Sequence, residues 1–159
     1  MAEAQSVVLS FEDGARTVEL ARESVEAFVR NGQREQPGSM RDAFYNRTSA
    51  FVRLESTHGR GALRGCAGAQ ESARDLGNRS QQLGHAIVEA SIKAASEASC
   101  GSEVEPAELP NLRVSVCTVS NLVLTDNPVE DIELGVHGVA IDGDGKHGWM
   151  YPTLPVENN

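Results

Sequence analysis

The chemistry-bearing stretch of this 159-residue chain is "GALRGCAG", residues 61–68, where Cys66 sits among three glycines, two positions after Arg64. In an extended strand, side chains alternate between faces, so Arg64 and Cys66 are expected on one side and Leu63 and Ala67 on the core side. Gly65 and Gly68 remove bulk and let a backbone or ligand come close. A guanidinium beside a thiol favours the thiolate, the nucleophilic form of cysteine, and its planar fork suits a carboxylate or phosphate. The alternative is that Cys66 is a small packing residue and Arg64 an ion-paired charge.

A nucleophile needs a base. Of His58, His85, His137 and His147, His137 in "GVHG" lies between glycines as a site residue would, and a Cys–His pair would supply nucleophile and acid or base. His85 falls within a helical segment and reads as a packed or half-exposed side chain. Cys117, inside a predicted strand, reads as inert packing. Cys100 follows a helix end, where the dipole disfavours a thiolate. Three cysteines without C-x-x-C spacing give neither a disulfide framework nor a zinc site. "DGDGKHGWMYPT" has Asp142 and Asp144 at the first and third positions of a calcium loop. His147 stands where the sixth position needs glycine, however, and Thr153 where the twelfth needs glutamate. No metal is expected, and no pattern names a cofactor.

The elements that must hold these residues follow from periodicity. Val18, Ala21, Val25, Phe28 and Val29 recur at helical spacing between Asp13 and Arg30, and Asn31-Gly32 is a stop signal. The Gly- and Pro-containing run from 31 to 48 reads as an irregular connection. "SAFVRLES" and "ALRGCAG" read as two strands of a hairpin over 49–68. A second helix is expected over about Ser80 to Ala98, with Leu83, Ile87, Ala90, Ala94 and Ala95 on one face and Asn78 or Ser80 as cap. In "NLRVSVCTVSNL", Leu112, Val114 and Val116 alternate with Arg113, Ser115 and Cys117, a strand buried mainly on one side. "HGVAIDGDGKHGWMY" reads as two short strands and a tight turn. Helices interleaved with antiparallel hairpins give an α+β fold in one domain over 1–159.

Composition narrows the function classes. There are 23 acidic and 14 basic residues, a net charge of −9, and only two lysines, Lys93 and Lys146. An acidic, lysine-poor surface tolerates salt that screens self-repulsion, which points to a halophilic, haloarchaeal source. It disfavours nucleic acid as a partner, because phosphate binding rests on clustered Lys and Arg. No apolar run reaches membrane-span length and "MAEAQSVVLSFEDG" is not a secretory signal, so a cytoplasmic location is expected.

In order along the chain, "ELARESVEAFV", "AFVRL", "LRGCAG", "AIVEASIKAAS", "ELPNLRVSVCTVS", "IELGVHGVAI" and "YPTLPVE" resemble the AMMECR domain family, named after the human chromosomal region linked to Alport syndrome, midface hypoplasia and elliptocytosis. The match is centred on that family's L-R-G-C-I-G hexapeptide. The resemblance implies a mainly antiparallel sheet flanked by helices in a larger lobe, a small second lobe, and the hexapeptide near the cleft. It carries over Leu63, Arg64, Gly65, Cys66 and Gly68 as motif positions, with His137 and Gly138 as second-tier candidates. It also implies Memo-like and radical SAM proteins as partners. Ala67 replaces the usual isoleucine, and "EASCGSEV" replaces an expected aspartate, arginine and phenylalanine. Relatives continue past "VENN" into a further helical segment with another cysteine, so the chain is expected to lack that segment, either as a truncated sequence or as a divergent short form, and Cys66 is the more exposed if the segment covers the cleft.

The leading expectation is a cleft protein in which Cys66 is nucleophile or substrate-binding thiol. Arg64 binds an unidentified small anionic ligand and stabilises the thiolate, and His137 is acid or base. Leu63, Gly65, Gly68 and Gly138 then shape the binding surface. The rival is a non-catalytic protein-binding adaptor with a structural cysteine, and a third reading is a nucleic-acid-associated factor.

Overall fold

The computed structural model describes residues 9–37, 41–58, 62–69, 81–96, 102–119 and 122–152. Helix α1 (Phe11–Asn31) is followed by a 3₁₀ turn (Asp42–Tyr45) and strands β1 (Ala50–Ser56) and β2 (Leu63–Gly68). Helix α2 (Leu83–Ser96), a 3₁₀ segment (Pro106–Asn111) and strand β3 (Leu112–Thr118) come next, then the short α3 (Pro128–Asp131) and the hairpin β4 (Val139–Gly143) and β5 (Lys146–Met150). The fold is α+β, as the sequence pattern predicts. Two antiparallel sheets are present among the described residues, one of order β2-β1-β3 and one formed by β4 and β5.

Helix α1 begins at Ser10, whose hydroxyl accepts from the Asp13 N–H while the Asp13 carboxylate accepts from the Ser10 N–H, a capping box. It ends where expected, at Gly32, whose φ of +64° is the left-handed conformation a helix stop requires. The buried stripe differs from the apolar periodicity. Val18 is 42% exposed, and the face turned inward carries Thr17, Leu20, Ala21, Ser24 and Val25. Two of these are hydroxyl residues, admitted because each satisfies itself within the helix: Thr17 donates to the Asp13 carbonyl (2.8 Å) and Ser24 to the Leu20 carbonyl (2.7 Å). Phe28 and Val29 pack at the margin of the core.

Helix α2 buries Leu83, Ile87, Ala90, Ala94 and Ala95, the face its sequence predicts, while His85 is exposed. The expected caps Asn78 and Ser80, and Cys100 beyond the helix, lie outside the described residues. Both helices lie on one side of the three-stranded sheet, α2 over β1 and β2 and α1 against α2 and β3. Between them Ala50, Val52 and Leu54 of β1 are fully buried. The connection from 32 to 48 has only the 3₁₀ turn as regular structure among its described residues, and Phe44 from that turn anchors it in the core. At the β4–β5 turn, Asp144 (φ 50°) and Gly145 (φ 73°) take the two left-handed positions of a tight hairpin loop, in place of a calcium loop. No helix among the described residues is long and apolar enough to cross a membrane.

Strand β1 carries the core through a side chain with no exposure at Leu54. Leu54→Ala is expected to lower the unfolding free energy by about 2–5 kcal/mol, read as a lower denaturant midpoint with an unchanged slope.

Candidate functional site

The register of β2 against β1 is interrupted within the motif. Gly68 faces Phe51, Ala67 faces Val52, Cys66 faces Arg53 and Gly65 faces Leu54; the next pair is Leu63 with Glu55, which leaves Arg64 as the extra residue of a β-bulge. Its guanidinium forks onto Glu108 of the 3₁₀ segment, Nε to Oε1 at 2.6 Å and Nη2 to Oε2 at 3.1 Å. Glu108 is itself held, accepting from the Glu105 N–H at 2.8 Å, and Arg22 of α1 ties down the same segment by donating to the Leu109 and Leu112 carbonyls. The Arg64 hydrogen bonds hold the Glu108 carboxyl below the ordinary carboxylate range. The arginine paired across from Cys66 is therefore Arg53, from the central strand, while Arg64 is engaged by an internal carboxylate.

Away from the helices, the sheet presents a second face. Phe51, Arg53 and Glu55 come from β1, Cys66 and Gly68 from β2, and Arg113, Ser115 and Cys117 from β3. Arg53 lies between Cys66 and Ser115, Phe51 lies between Gly68 and Cys117, and the Arg53 and Glu55 side chains approach to 3.5 Å. Cys66 and Cys117 stand on the two outer strands, at least two strand spacings apart, about 9–10 Å. That exceeds the Cα separation of a disulfide, and both cysteines are half-buried thiols outside any disulfide.

The β4–β5 hairpin folds onto this face through aromatic rings. Trp149 lies 4.0 Å from Phe51 between ring centroids, and Tyr151 meets Phe51 and Trp149 edge-on at 6.0 and 4.8 Å. The Tyr151 hydroxyl is buried and has no hydrogen-bond partner among the described residues. Burial pushes its pKa strongly up, with further contributions from Cys66 and Cys117 and an opposing one from Arg53, so the phenol sits within electrostatic reach of both thiols. Burial likewise raises the Cys117 thiol.

Two cavities meet at Tyr151. One, of about 230 Å³, is lined by Phe51, Cys117, Leu122, His137, Trp149 and neighbouring hairpin residues. The other, of about 400 Å³, is lined by Arg53, Glu55, Arg113, Ser115, Cys117 and the Tyr151–Pro152 end of the hairpin. His137 is exposed, and its Nδ1 accepts from the Glu133 N–H at 3.0 Å, which puts the proton of the neutral ring on Nε2. Its cavity is shared with Cys117 and not with Cys66. Gly138 serves packing: a Cβ there would lie 3.3 Å from the Met150 carbonyl oxygen and 3.6 Å from the Pro152 ring. On β2, Gly65 and Gly68 are buried and Leu63 is 37% exposed at the sheet edge.

Sequence reasoning missed Arg53, Arg113, Trp149 and Tyr151 and underrated Cys117. The available signal was alternation: residues 51, 53 and 55 and residues 113, 115 and 117 are the off-core sets of their strands, and Trp149 and Tyr151 are two apart. No cluster of three or more His, Cys, Asp or Glu with metal-holding geometry occurs among the described residues.

The sequence profile of the AMMECR1 family matches residues 18–159. The chain belongs to the AMMECR1 family. A protein of Halobacterium salinarum is 86% identical over 159 residues, which cover 100% of this chain and 76% of that protein. A Methanopyrus kandleri protein is 31% identical over 161 residues, 94% of this chain and 71% of its own length. The crystal structure of an uncharacterised protein from Pyrococcus horikoshii matches with a TM-score of 0.79 at 24% identity, covering 94% of this chain and 73% of that one, and shows the shared fold. The Halobacterium match is consistent with the haloarchaeal membership expected from composition.

In this AMMECR1 domain the Glu108 carboxyl titrates lower folded than unfolded. Its contribution to stability is therefore present above the ordinary value of 4.5 and is lost as pH falls through the folded value. Glu108→Gln is expected to lower stability by about 1 kcal/mol at neutral pH and to flatten the acid limb of the stability profile, read by denaturant titration from pH 7 downward. Tyr151→Phe removes a buried hydroxyl without a partner, so the unliganded protein is expected to gain about 1 kcal/mol, seen as a raised Tm.

Proposed function

We propose that this AMMECR1-family protein binds a small substrate on the outer face of its three-stranded sheet, with the Cys66 thiol there to hold or attack it. The observation that carries this reading is the buried Tyr151 hydroxyl, unpartnered among the described residues and within electrostatic reach of Cys66, Cys117 and Arg53, where two cavities meet. Buried polar atoms are otherwise nearly always hydrogen-bonded, so a donor held in this state is provision for an acceptor that arrives from outside. The hexapeptide supplies the scaffold: Gly68 leaves room opposite Phe51, Gly65 sits against Leu54, and Arg64 fixes the β2 bulge through Glu108. In this proposal Arg64 acts on the site by positioning Cys66. His137 contributes from the neighbouring cavity, as acid or base toward a ligand long enough to reach it. The domain would work in the cytoplasm, offering its substrate to the Memo-like and radical SAM proteins that the family resemblance implies.

A second reading, a protein-binding adaptor, is favoured by a run of exposed apolar side chains: Val123, Leu124, Val129, Leu134, Val136 and Ile141 are each more than half exposed. It predicts that Cys66→Ser leaves partner binding intact.

Iodoacetamide labelling of the folded protein at neutral pH, read at each cysteine by mass spectrometry, tests the thiol role. Cys66 is expected to react faster than Cys117, whose thiol burial holds protonated, and the difference should vanish on unfolding. A Cys66 that labels no faster than Cys117 in the folded state removes the thiol from the function.

A further inference from the structure

Resting on the outer sheet face as the binding face, we infer that the ligand is an aromatic or apolar molecule carrying an oxyanion, with Arg113 and Arg53 taking the anion and the Phe51–Trp149 wall taking the ring.

The charge arrangement supports this. Glu55 lies directly across from Arg113 in the β1–β3 register, yet the carboxylate approaches Arg53, at 3.5 Å, and the Arg113 guanidinium makes no ion pair with any described residue. Nor does the Arg113 side chain hydrogen-bond to a described residue; it is exposed and lines the 400 Å³ cavity. Arg113 thus brings to this cavity a guanidinium that no described residue pairs, on a chain whose net charge is −9. An anionic ligand approaching such an acidic protein meets general repulsion, and a cavity lined by that guanidinium is where the repulsion is locally offset. The Ser115 hydroxyl, opposite Arg53, lines the same cavity and adds a neutral donor.

The neighbouring cavity has the opposite character. Phe51, Leu122, Val136, Trp149 and Met150 make its walls largely apolar and aromatic. Tyr151 and Cys117 line both cavities, so a ligand spanning them passes the phenol whose hydroxyl has no partner among the described residues. A ring on one side and an oxyanion on the other, with the Tyr151 O–H donating between them, satisfies each of these features at once. Carboxylate and phosphate share the chemistry that the two arginines recognise.

Trp149 is the only tryptophan in the chain and lines the apolar cavity, so its fluorescence reports occupancy. The full chain is titrated at fixed ionic strength with phenyl phosphate, benzoate, inorganic phosphate and benzyl alcohol. Phenyl phosphate or benzoate is expected to change the emission saturably, and to bind about tenfold more tightly than either inorganic phosphate or benzyl alcohol. Whichever of the two binds more tightly identifies the oxyanion. Arg113→Ala is expected to weaken that binding about tenfold and Tyr151→Phe about fivefold, with Tm not lowered in either variant. Raising the ionic strength should weaken the charged ligand and leave benzyl alcohol unchanged.

The inference is overturned if benzyl alcohol binds as tightly as the charged compounds, if Arg113→Ala binds as the parent does, or if none of the four moves the Trp149 emission. Benzyl alcohol binding alone would refute the anion while leaving the outer face as a binding surface. The Cys66 labelling comparison judges the thiol role separately.

Discussion

Strand β1 is the constraint on which the rest of the molecule depends. It is hydrogen-bonded on both sides, to β2 and β3, and its residues alternate between two different environments. Ala50, Val52 and Leu54 are sealed beneath the helices, while Phe51, Arg53 and Glu55 face the other way. A slip of one residue against either neighbour would drive Arg53 into the aliphatic core and expose Leu54, so the register is fixed by the cost of burying a charge without a partner. Once it is fixed, the outer face follows: Arg53 must stand between Cys66 and Ser115, and Phe51 between Gly68 and Cys117.

Within that frame the bulge decides what the motif arginine does. An unbroken β2 would leave Arg64 beside Cys66 on the outer face. One extra residue redirects it, and Glu108 accepts both arms of the guanidinium. Glu108 is in place because Arg22 pins the carbonyls of Leu109 and Leu112 and because the Glu105 N–H orients the carboxylate. A chain of polar contacts thus runs from α1 through the 3₁₀ segment to the edge strand that carries Cys66. It meets β2 at Arg64, the residue where the register against β1 is interrupted. The arginines of the outer face itself are Arg53 of β1 and Arg113 of β3.

Much of this arrangement is legible in the sequence, and the rest fails for identifiable reasons. Both long helices, the five described strands, the Gly32 stop and the tight turn between β4 and β5 follow from periodicity and backbone preference, which are local properties. Alternation also puts Cys66, Arg113, Ser115 and Cys117 off the core. What is hidden depends on pairing. The bulge at Arg64 is a mismatch between two strands, and the residues of β2 alone carry no trace of it. The buried face of α1 is turned from the apolar pattern because Thr17 and Ser24 satisfy their hydroxyls within the helix, a contact that hydropathy does not count. His137 comes to neighbour Cys117 because the hairpin is docked by Trp149 on Phe51, a contact spanning almost the whole length between β1 and β5.

That docking also explains why Tyr151 matters more than its ring. A phenylalanine at 151 would keep both edge-on contacts, to Phe51 and Trp149, and would bury no polar atom. The hydroxyl adds nothing to the packing, and burying it without a partner costs about 1–3 kcal/mol, a large share of the marginal stability of a domain this size. Elsewhere the described structure satisfies its buried hydroxyls, as at Thr17, Ser24 and Ser91, each bonded within its own helix. A local rule kept at these positions and broken, among the described residues, at the Tyr151 hydroxyl is the basis of the proposed site, because strain and unsatisfied groups cluster where something else makes use of them. The atom that breaks it stands at the junction of an aromatic cavity and an arginine-lined one, within electrostatic reach of both thiols. Its position, more than the motif cysteine by itself, directs attention to the outer sheet face.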